Sequence, residues 1–449
     1  MKDNSTRQAW RIGLVAALLP IALGSAAQSG LKWQGQPAPS TAVHSASVPT
    51  APSTLPQSIE PSFDVRSFEA IAQQLVAGGR IPGLAVAIVQ NGRILSARGY
   101  GVTDARNGEP VDAHTVFRLA SLSKSFAGTV TGMLVNDGVL RWDSRLVDYV
   151  PDFKLSRPDA AQQVTVADLL SHRVGLTRNA YDRDLEGNAD FHALTMRMAN
   201  APMTCAPGQC YAYQNVAFSL VGDVVFAATG HFYSEEVARR VFKPLGMNDA
   251  SYGLEGIEAS ARWAKPHVRG GGGWVPLMPK PNYYRVAPAA GVNASISDMA
   301  QYLIAQTGHR PDVLPAPLLA TLHSPVISTP SELRGSSWRR TRLSSAGYAL
   351  GWRAFNYAGH DLIFHGGAVQ GYRGAMALLP DQDLGIAILW NSESALPSGL
   401  LPTILDSALG LSGGQWLDEK VITPEATMYA DESDNPAGVG ASSATASPE

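Results

Sequence analysis

Ser121 and Lys124 stand three residues apart in the segment RLASLSKSFAG, and their types and spacing could support nucleophilic catalysis. Side chains three residues apart share one face of a helix, so the lysine amine would lie within reach of the serine hydroxyl. A buried lysine has its pKa lowered by desolvation and can accept the serine proton. The ordinary alternative is a capping serine beside a solvated lysine, since Ser29 and Lys32 repeat the spacing in a segment without predicted structure.

The residues around this pair predict a helix that begins at about Ser121 and ends near Asp137-Gly138. The extended run VFRLA precedes it, and apolar residues then recur every three or four positions. These residues are Leu122, Phe126, Val130 and Met133. The serine would thus stand at a helix N-terminus, where free backbone N–H groups and the positive end of the helix dipole favour developing negative charge.

Further segments follow the serine–lysine pair in chain order. They are VTVADLLSHRVGL, APGQCYAYQNVAFSLVG, FKPLGMNDASYG, APAAGVNASISDMAQYL, YALGW and FHGGAVQGYRG. In this order they resemble the serine β-lactamase superfamily, most closely class C β-lactamases and the related D-alanyl-D-alanine peptidases and esterases. The resemblance covers nearly the whole of residues 63–412.

The resemblance implies a role for each residue that matches a family motif. Ser121 would be the nucleophile and Lys124 the motif lysine; Tyr213 would share proton transfer, and the Asn215 amide would orient the substrate. Two adjacent cations, Lys124 and a protonated His365, would favour the phenolate form of Tyr213. Taken alone, the tyrosine would be a half-buried aromatic residue and the asparagine a turn residue.

His365-Gly366-Gly367 matches the strand motif that is Lys-Thr-Gly in many β-lactamases and His-x-Gly in many peptidases and esterases. The resemblance implies that His365 and Gly367 bind the substrate. It also implies that the backbone N–H groups of Ser121 and Ala368 form the oxyanion hole. Taken alone, the histidine would be a residue at a strand edge with its hydrogen bonds satisfied.

Gly366 departs from the family pattern, because many members carry threonine or serine there. That hydroxyl would help to hold the carboxylate of penicillins and of D-alanyl-D-alanine ends. Its absence favours esterase or peptidase activity over efficient β-lactamase activity, unless Arg373 compensates. The resemblance assigns His172, in LLSHRVGL, to the scaffold, and it implies no cofactor and no metal.

The predicted domain, whose helices and strands must position these residues, begins and ends with β-rich segments. LAVAIVQNGRILSARGYG predicts a hairpin that turns at Asn91-Gly92, and DLIFHGG, GAMALLP and LGIAILWN predict three more strands. SFEAIAQQLVAG and residues 397–409 predict helices, and residues 119–306 are mostly helical in pattern. We therefore expect an α/β (α+β) fold of the β-lactamase/transpeptidase kind. One antiparallel sheet is flanked by helices, and a mostly helical subdomain forms a cleft with it.

The length, composition and charge of the chain limit the classes of protein to which it can belong. The chain has 449 residues, of which 45% are hydrophobic and 16% charged, which is enough for a large core. A formal net charge of −3 gives no electrostatic reason to expect nucleic acid or an anionic membrane as a partner. We expect a small-molecule or peptidoglycan-peptide substrate instead, and no oligomeric state is predicted.

The chain ends differ in composition from the middle. Residues 1–27 combine basic residues, a short apolar run and Ser25-Ala26-Ala27, which predicts a cleaved signal peptide, with an uncleaved anchor as the alternative. After cleavage no integral membrane span is expected. Residues 28–62 predict a disordered linker rich in Pro, Ser and Ala, residues 63–412 the hydrolase domain, and residues 413–449 a disordered acidic tail. The expected location is periplasmic or secreted.

Cys205 and Cys210 are the chain's two cysteines, and they lie in CAPGQC. In an oxidising, exported setting they predict a short-loop disulfide, with free thiols as the alternative. No histidine lies at ligand spacing from them, so a metal site is not expected there.

Two other segments mimic functional motifs. Ser433-Asp434-Asn435 spells the Ser-Asp-Asn motif of class A β-lactamases, but it follows the third motif and falls in the predicted tail. RGGGGW lacks the Lys-Ser/Thr pair of a phosphate loop, so we expect a mobile loop at the cleft.

These observations predict an exported serine hydrolase, similar to class C β-lactamases, that forms an acyl-enzyme at Ser121. Its substrate would be a β-lactam, a D-amino-acid peptide amide or an ester. The alternative is a catalytically idle penicillin-binding or sensor module at the cell envelope.

Overall fold

The computed structural model describes residues 64–417 of the chain. The predicted signal peptide, the linker and most of the predicted tail, including Ser433-Asp434-Asn435, lie outside the described residues. The chain remains packed beyond Ser412, the expected end of the domain. Trp416 is buried there, and its indole N–H donates to Asp406 Oδ2 over 2.8 Å.

Thirteen strands and fifteen α-helices are present within residues 64–417. The strands are β1 (Gly83–Gln90), β2 (Arg93–Gly101), β3 (Val116–Arg118), β4 (Ser251–Tyr252), β5 (His267–Gly270), β6 (Gly273–Pro276), β7 (Val292–Ser295), β8 (Ile327–Ser328), β9 (Leu343–Tyr348), β10 (Arg353–Tyr357), β11 (His360–Val369), β12 (Tyr372–Leu379) and β13 (Leu384–Trp390). The helices are α1 (Val65–Ala77), α2 (Ser123–Asn136), α3 (Val166–Leu170), α4 (Asp182–Glu186), α5 (Phe191–Arg197), α6 (Val216–Ser219), α7 (Val221–Thr229), α8 (Tyr233–Val237), α9 (Lys243–Leu245), α10 (Gly253–Glu258), α11 (Ala287–Ala290), α12 (Ile296–Ile304), α13 (Ala316–His323), α14 (Ser337–Arg342) and α15 (Leu400–Ala408).

The largest element is an eight-stranded antiparallel sheet with the order β2-β1-β13-β12-β11-β10-β9-β8. β1 and β2 form the predicted hairpin. Asn91 and Gly92 at its turn have φ angles of 52° and 68°, the left-handed values that a type I′ turn requires. β13 pairs with β1 from Leu84–Trp390 to Gln90–Leu384, so strands from both ends of the domain meet in one sheet. The predicted strands β11, β12 and β13 are confirmed.

Helices cover both faces of this sheet, because β1 and β13 are buried at every position. On one face α1 and α15 pack through residues such as Phe68, Leu75 and Ile404. On the other face α12 packs through Met299 and Leu303. Residues of β1 alternate between the two cores, as the two-residue period of a strand requires.

Residues 119–306 are mostly helical and contain two small sheets, β3-β7-β4 and β5-β6. The predicted architecture, an antiparallel sheet flanked by helices with a mostly helical subdomain, is confirmed. Two features differ from expectation. RGGGGW is the turn of the β5–β6 hairpin, where Gly270 pairs with Gly273. Strands β8, β9 and β10 extend the sheet in a region without predicted strands, where β8 is only two residues long.

A helix that spans a bilayer needs a minimum length and an apolar composition. No single helix within residues 64–417 meets both conditions. The pair Val216–Thr229 and Tyr233–Leu245 meets them only when taken together, and it bends by 81° at its break.

The structure joins Cys205 to Cys210, which confirms the predicted disulfide. The bond closes a loop that runs alongside residues 172–175 and ends just before Tyr213. Backbone N–H groups of Gly208 and Ala212 bind the carbonyls of Arg173 and His172 over 2.7 and 2.9 Å.

In the unreduced protein, Cys205 and Cys210 are expected as one linked pair that iodoacetamide does not modify. Reduction should then expose two alkylatable thiols, and peptide mass spectrometry measures both states. Two alkylated cysteines before reduction would contradict the pairing.

Candidate active site

Ser121 lies in a tight 3₁₀ turn directly before helix α2. Ala120 has a φ angle of 50°, a left-handed value that is uncommon for alanine. Strand β7 supports the turn: the Val292 carbonyl accepts the Leu119 N–H over 2.9 Å, and the Val292 N–H donates to Ser123 Oγ over 3.0 Å. This support holds the Ser121 side chain in the wall of a cavity. The predicted helix is confirmed as this turn followed by α2.

Lys124 is fully buried, and its ammonium group contacts the serine. Nζ donates to Ser121 Oγ over 3.3 Å, to Asn215 Oδ1 over 2.7 Å and to the Ala289 carbonyl over 3.2 Å. Three acceptors match the three N–H bonds of an ammonium group. The same nitrogen lies 4.6 Å from the centre of the Tyr213 ring. The charge therefore sits between the hydroxyl, the amide and the aromatic face.

Tyr213 lines the same cavity and is held from two sides. Its ring centre lies 4.4 Å from that of His172, and the Arg353 guanidinium lies 5.3 Å from the centre of the Tyr213 ring. Its carbonyl accepts the Asn179 N–H over 2.8 Å. The structure thus brings Ser121, Lys124 and Tyr213, which lie far apart in sequence, into one site around the lysine ammonium.

Asn215 links Lys124 to a carboxyl group that no motif indicates. Its Nδ2 donates to Asp182 Oδ2 over 2.7 Å, while its Oδ1 accepts from Lys124. Burial raises the pKa of Asp182 to about 6, although the hydrogen bond from Asn215 and the charge of Lys124 act to lower this pKa. Both side chains line the cavity. Asp182 reaches the site only through tertiary packing, so its sequence position carries no signal.

Beneath Tyr213, hydrogen bonds connect two histidines through Tyr348. The Gln214 N–H donates to His172 Nδ1 over 3.1 Å, and His172 Nε2 lies 3.1 Å from Tyr348 Oη. Tyr348 Oη lies 3.0 Å from His365 Nε2. Burial, together with the nearby charges of Lys124 and Arg353, holds the pKa of His172 well below its usual range. His172 is therefore a neutral scaffold residue that supports Tyr213.

His365 lies under the cavity, fully buried and outside the set of residues that line it. Its Nδ1 lies 2.7 Å from the Gly366 carbonyl, and its Nε2 lies 3.4 Å from Arg353 Nη1. Because a guanidinium only donates, Nε2 is the acceptor in this pair. The substrate-binding role expected of His365 stays a prediction. The Arg353 guanidinium, which lines the cavity, is a cation near the Tyr213 ring.

The edge of strand β11 meets the turn that holds Ser121. A Cβ atom on Gly367 would lie 2.4 Å from the Leu119 carbonyl oxygen and 3.2 Å from the Ser121 nitrogen, so only glycine permits this approach. Val369 and Tyr372 close the β11–β12 hairpin, and the next pair, Ala368 and Arg373, is then a pair without mutual hydrogen bonds. The Ala368 N–H therefore points away from β12, as an oxyanion-hole donor must.

Gly366 and Arg373 both line the cavity near this edge. A Cβ atom on Gly366 would have no neighbour closer than 3.5 Å, so the glycine leaves open space where many family members carry a hydroxyl. Burial lowers the pKa of Arg373 to about 10, which leaves the guanidinium charged at neutral pH. A cation is thus available for a substrate carboxylate.

The cavity continues from Ser121 past the small residues of β11 and β12 towards an apolar region. Its lining there combines apolar side chains with serines and with Arg339 and Arg340. The apolar residues are Trp338, Phe364, Trp390, Leu401 and Trp416. Such a wall suits an apolar part of a substrate.

Comparison with protein-family models matches residues 68–408 to the family described as Beta-lactamase. Among curated proteins, the Unguisins hydrolase ungD' of Aspergillus campestris is 26% identical over 351 residues, which are 76% of this chain. The alignment covers 64% of that relative, so the chain spans less than two thirds of the relative's length. Protein flp of Staphylococcus aureus is 24% identical over 332 residues, with 73% of this chain and 63% of that protein covered.

Two solved structures share the fold. The octameric penicillin-binding protein homologue from Pyrococcus abyssi has a TM-score of 0.69 at 24% identity, and the match covers 78% of each chain. The D-amino acid amidase from Ochrobactrum anthropi SV3 has a TM-score of 0.59 at 21% identity, covering 73% of this chain and 91% of the amidase. At identities below 25%, this similarity shows only that the helices and strands are arranged in the same way.

Gly367→Ala is expected to lower the rate of ester hydrolysis by about 10²-fold or more, because the added Cβ pushes β11 away from the Ser121 turn and disrupts the oxyanion hole. Gly366→Ala is the matched control, since its Cβ enters open space, and it should lose much less. Hydrolysis of a chromogenic ester measures the rates, and thermal unfolding confirms that both variants fold. Equal losses in the two variants would contradict the role of the β11 edge.

Proposed function

The chain belongs to the beta-lactamase family, and from this premise we propose that it is a serine hydrolase that forms an acyl-enzyme at Ser121. The observation that carries the proposal is the contact between the buried Lys124 ammonium and the Ser121 hydroxyl at the cavity wall. A lysine without solvent beside a partly exposed serine suits activation of a nucleophile.

In the proposed acylation step, Ser121 Oγ attacks the substrate carbonyl carbon and loses its proton to the Tyr213 phenolate, which the Lys124 ammonium stabilises. The C–O bond forms as the carbonyl oxygen becomes an oxyanion, which the N–H groups of Ser121 and Ala368 stabilise. Each such donor is worth on the order of 10²–10³ in rate. The proton then passes to the leaving amine or alcohol as its bond to carbon breaks.

In the proposed deacylation step, a water molecule attacks the acyl-enzyme. The Tyr213 phenolate, regenerated when the leaving group departed, removes a proton from the water, and the same two N–H groups stabilise the second oxyanion. Tyr213 then returns this proton to Ser121 Oγ as the bond between Oγ and the acyl carbon breaks. Division into two steps lowers each barrier relative to direct attack by water.

The substrate class we propose is a D-amino-acid peptide amide or an ester, with β-lactams as weaker substrates. Arg373 would bind a carboxylate on the leaving-group side, since it faces the cavity opposite Ala368 in the β11–β12 register. Gly366 lacks the hydroxyl that helps to bind this carboxylate in many β-lactamases, and it leaves open space at that position. Similarity to class C enzymes remains part of this proposal, and so does a peptidoglycan peptide as the natural substrate.

We also propose that the protein is exported to the periplasm or secreted. The disulfide between Cys205 and Cys210 supports this location, because such bonds persist in oxidising compartments. The basic and apolar composition of residues 1–27 supports it as well.

Ser121→Ala is expected to lower hydrolysis of a chromogenic ester by about 10³-fold or more, because the nucleophile is removed. Ser125→Ala is the matched control: the Ser125 hydroxyl donates to the Leu122 carbonyl in the turn before helix α2, and Ser125 lies outside the cavity lining. Unchanged turnover in Ser121→Ala would refute the proposed nucleophile.

Intact-mass analysis after incubation with penicillin, and separately with a fluorophosphonate, tests the acyl-enzyme and the substrate class. Both adducts on Ser121 would place the protein with β-lactamases and peptidases, whereas the fluorophosphonate adduct alone would indicate an esterase. A stable penicillin adduct without turnover of any substrate would indicate the idle binding module instead.

Lys124→Ala and Tyr213→Phe are each expected to lower kcat/KM by about 10²–10⁴-fold, because both groups take part in proton transfer. Steady-state kinetics with the same ester measures the loss, and thermal unfolding is the control for folding. Near-normal rates in both variants would contradict the proposed proton path.

A further inference from the structure

We propose that the part of the cavity beyond strand β11 binds the leaving group of the substrate, and that this leaving group is an aromatic group that carries a carboxylate. The inference rests on the proposed function and deepens it, because it names the part of the substrate that departs when Ser121 is acylated. We call this part of the cavity the outer pocket. Its apolar wall consists of Trp338, Phe364, Ala375, Trp390, Leu401 and Trp416.

The outer pocket lies on the face of the main sheet that helices α1 and α15 cover. Phe364 belongs to the core on that face, whereas Leu122, next to Ser121, belongs to the core on the other face. Strand β10 begins at Arg353, which pairs with Phe364, so residues 365–369 of β11 extend beyond β10. The cavity has lining residues on both faces, and this edge of β11 is where it passes from one face to the other.

One row of residues leads from the proposed oxyanion hole into the outer pocket. Ala368 on β11 pairs with Arg373 on β12, and Arg373 pairs with Trp390 on β13. Directly opposed residues of antiparallel strands share a face. Neighbouring strands lie about 4.8 Å apart, so Trp390 lies roughly 10 Å across the sheet from Ala368. A leaving group of two fused rings can therefore extend from the oxyanion hole to Trp390 and pass Arg373 on the way.

Two tryptophans of the outer pocket offer ring surface alone. Trp390 Nε1 donates to the Ser394 carbonyl over 2.8 Å. Trp416 Nε1 donates to Asp406 Oδ2 over 2.8 Å. Since an indole has a single N–H donor, both rings present apolar surface to a ligand. Aromatic groups pack on such rings in stacked or edge-to-face arrangements, which add to the gain from burial. The wall therefore suits an aromatic group.

Small residues keep the outer pocket open next to β11. Gly366 and Ala375 pair with each other on β11 and β12. A Cβ atom on Gly366 would have no neighbour closer than 3.5 Å, and the alanine carries nothing beyond its own Cβ. The half-buried Ala395 and Ser398 also line the cavity. A larger residue at Ala375 or Ala395 would fill the space that we assign to the leaving group.

The cavity lining has an excess of positive charge. Asp182 is the one acidic residue within residues 64–417 that lines it. The basic residues that line it are Arg339, Arg340, Arg353 and Arg373. Glu332 offsets part of this charge, because its carboxylate contacts both Arg339 and Arg353. One carboxylate between two guanidinium groups leaves an excess that favours an anionic ligand.

Arg373 is the cation placed to bind the carboxylate of the leaving group. It stands in the row between Ala368 and Trp390. Burial lowers the pKa of Arg373 to about 10, and the charge of Glu393 acts in the opposite direction, so the guanidinium is charged at neutral pH. Hydrogen bonds between a guanidinium and a carboxylate are roughly twice as strong as those between neutral groups. Arg373 thus selects an acid over a neutral aromatic group.

The kinetic test uses acetate esters that form one acyl-enzyme and differ only in the leaving group. We compare kcat/KM for 6-acetoxy-2-naphthoate with that for 4-acetoxybenzoate, which has one ring, and for 2-naphthyl acetate, which has no carboxylate. Ala375→Leu should lower the ratio of the first ester to the second by about tenfold, because it fills the outer pocket. Arg373→Gln should lower the ratio of the first to the third by about tenfold. Differences in chemical reactivity between the esters are the same for every variant and cancel.

A second filling variant and a matched control accompany this test. Ala395→Leu should lower the first ratio as Ala375→Leu does, and thermal unfolding shows which of the two variants folds. Ala228→Leu on helix α7 replaces a half-buried alanine outside the cavity lining, so its ratios should equal those of the wild type. Unchanged ratios in the folded filling variants, or an equal loss for all three esters, would overturn the proposal.

Binding of the product tests the outer pocket without catalysis. 6-Hydroxy-2-naphthoate should quench the tryptophan fluorescence of Ser121→Ala, because tryptophans line the pocket, and should bind about tenfold more tightly than 2-naphthol or 4-hydroxybenzoate. Adding Ala375→Leu or Ala395→Leu should remove the quenching. Equal affinities for the three compounds, or quenching that persists in both double variants, would overturn the proposal. Selective binding without turnover of any ester would refute the proposed function and support the pocket, whereas turnover with unchanged ratios would do the reverse.

A peptide with an aromatic residue at its carboxyl end and an aryl ester both present this chemistry. Release of D-tryptophan from N-acetyl-D-alanyl-D-tryptophan with a higher kcat/KM than release of D-alanine from N-acetyl-D-alanyl-D-alanine would support the pocket and assign peptides as its source of ligands. A preference seen with the naphthoate ester alone would support the pocket and assign aryl esters. A preference with neither would overturn the proposal.

Discussion

The site depends on one buried charge, the ammonium of Lys124. Removing an ammonium group from water is costly unless acceptors replace the lost hydration. Here Ser121, Asn215 and Ala289 supply three acceptors, and the ring of Tyr213 offers its face. Because Asn215 and Ala289 lie far from Lys124 in the sequence, the charge draws three segments into one geometry. The same contacts that satisfy the lysine bring Ser121 and Tyr213 together.

Close backbone packing keeps this charge in place. A Cβ atom on Gly128 of helix α2 would lie 2.1 Å from the Leu350 carbonyl oxygen, and one on Gly351 would lie 2.3 Å from the Lys124 carbonyl oxygen. Helix α2 therefore rests directly on the turn between β9 and β10. Gly367 permits a similar approach on the other side of Ser121. These glycines allow neighbouring backbone segments to touch, because larger residues would separate the elements that form the cavity.

A layer of neutral and charged groups under Tyr213 completes the support. Hydrogen bonds connect His172, Tyr348 and His365 in a series. Arg353 lines the cavity and adds a positive charge near the tyrosine ring. A neutral His172 suits this layer, because a further buried cation beside Lys124 and Arg353 would be repelled.

The sequence by itself determined the features that depend on neighbouring residues. The i, i+3 spacing of Ser121 and Lys124 becomes a contact wherever that segment is helical, and Asn91-Gly92 favours a tight hairpin in any context. The order of motifs also identified Tyr213, Asn215 and the glycine edge of β11. These signals are local or recur as short patterns, so they can be read without coordinates.

Tertiary structure alone decided the rest. His365 stands in a motif, yet its ring turns under the cavity because Tyr348 and Arg353, from other strands, contact its Nε2 atom. Asp182 stands in no motif, yet it lines the cavity because its segment folds against Asn215. Burial and hydrogen bonding between distant segments set the direction of a side chain and its charge state. Local sequence does not contain those distances, so it predicted the contact between Ser121 and Lys124 and the main sheet, but not which polar groups would line the cavity.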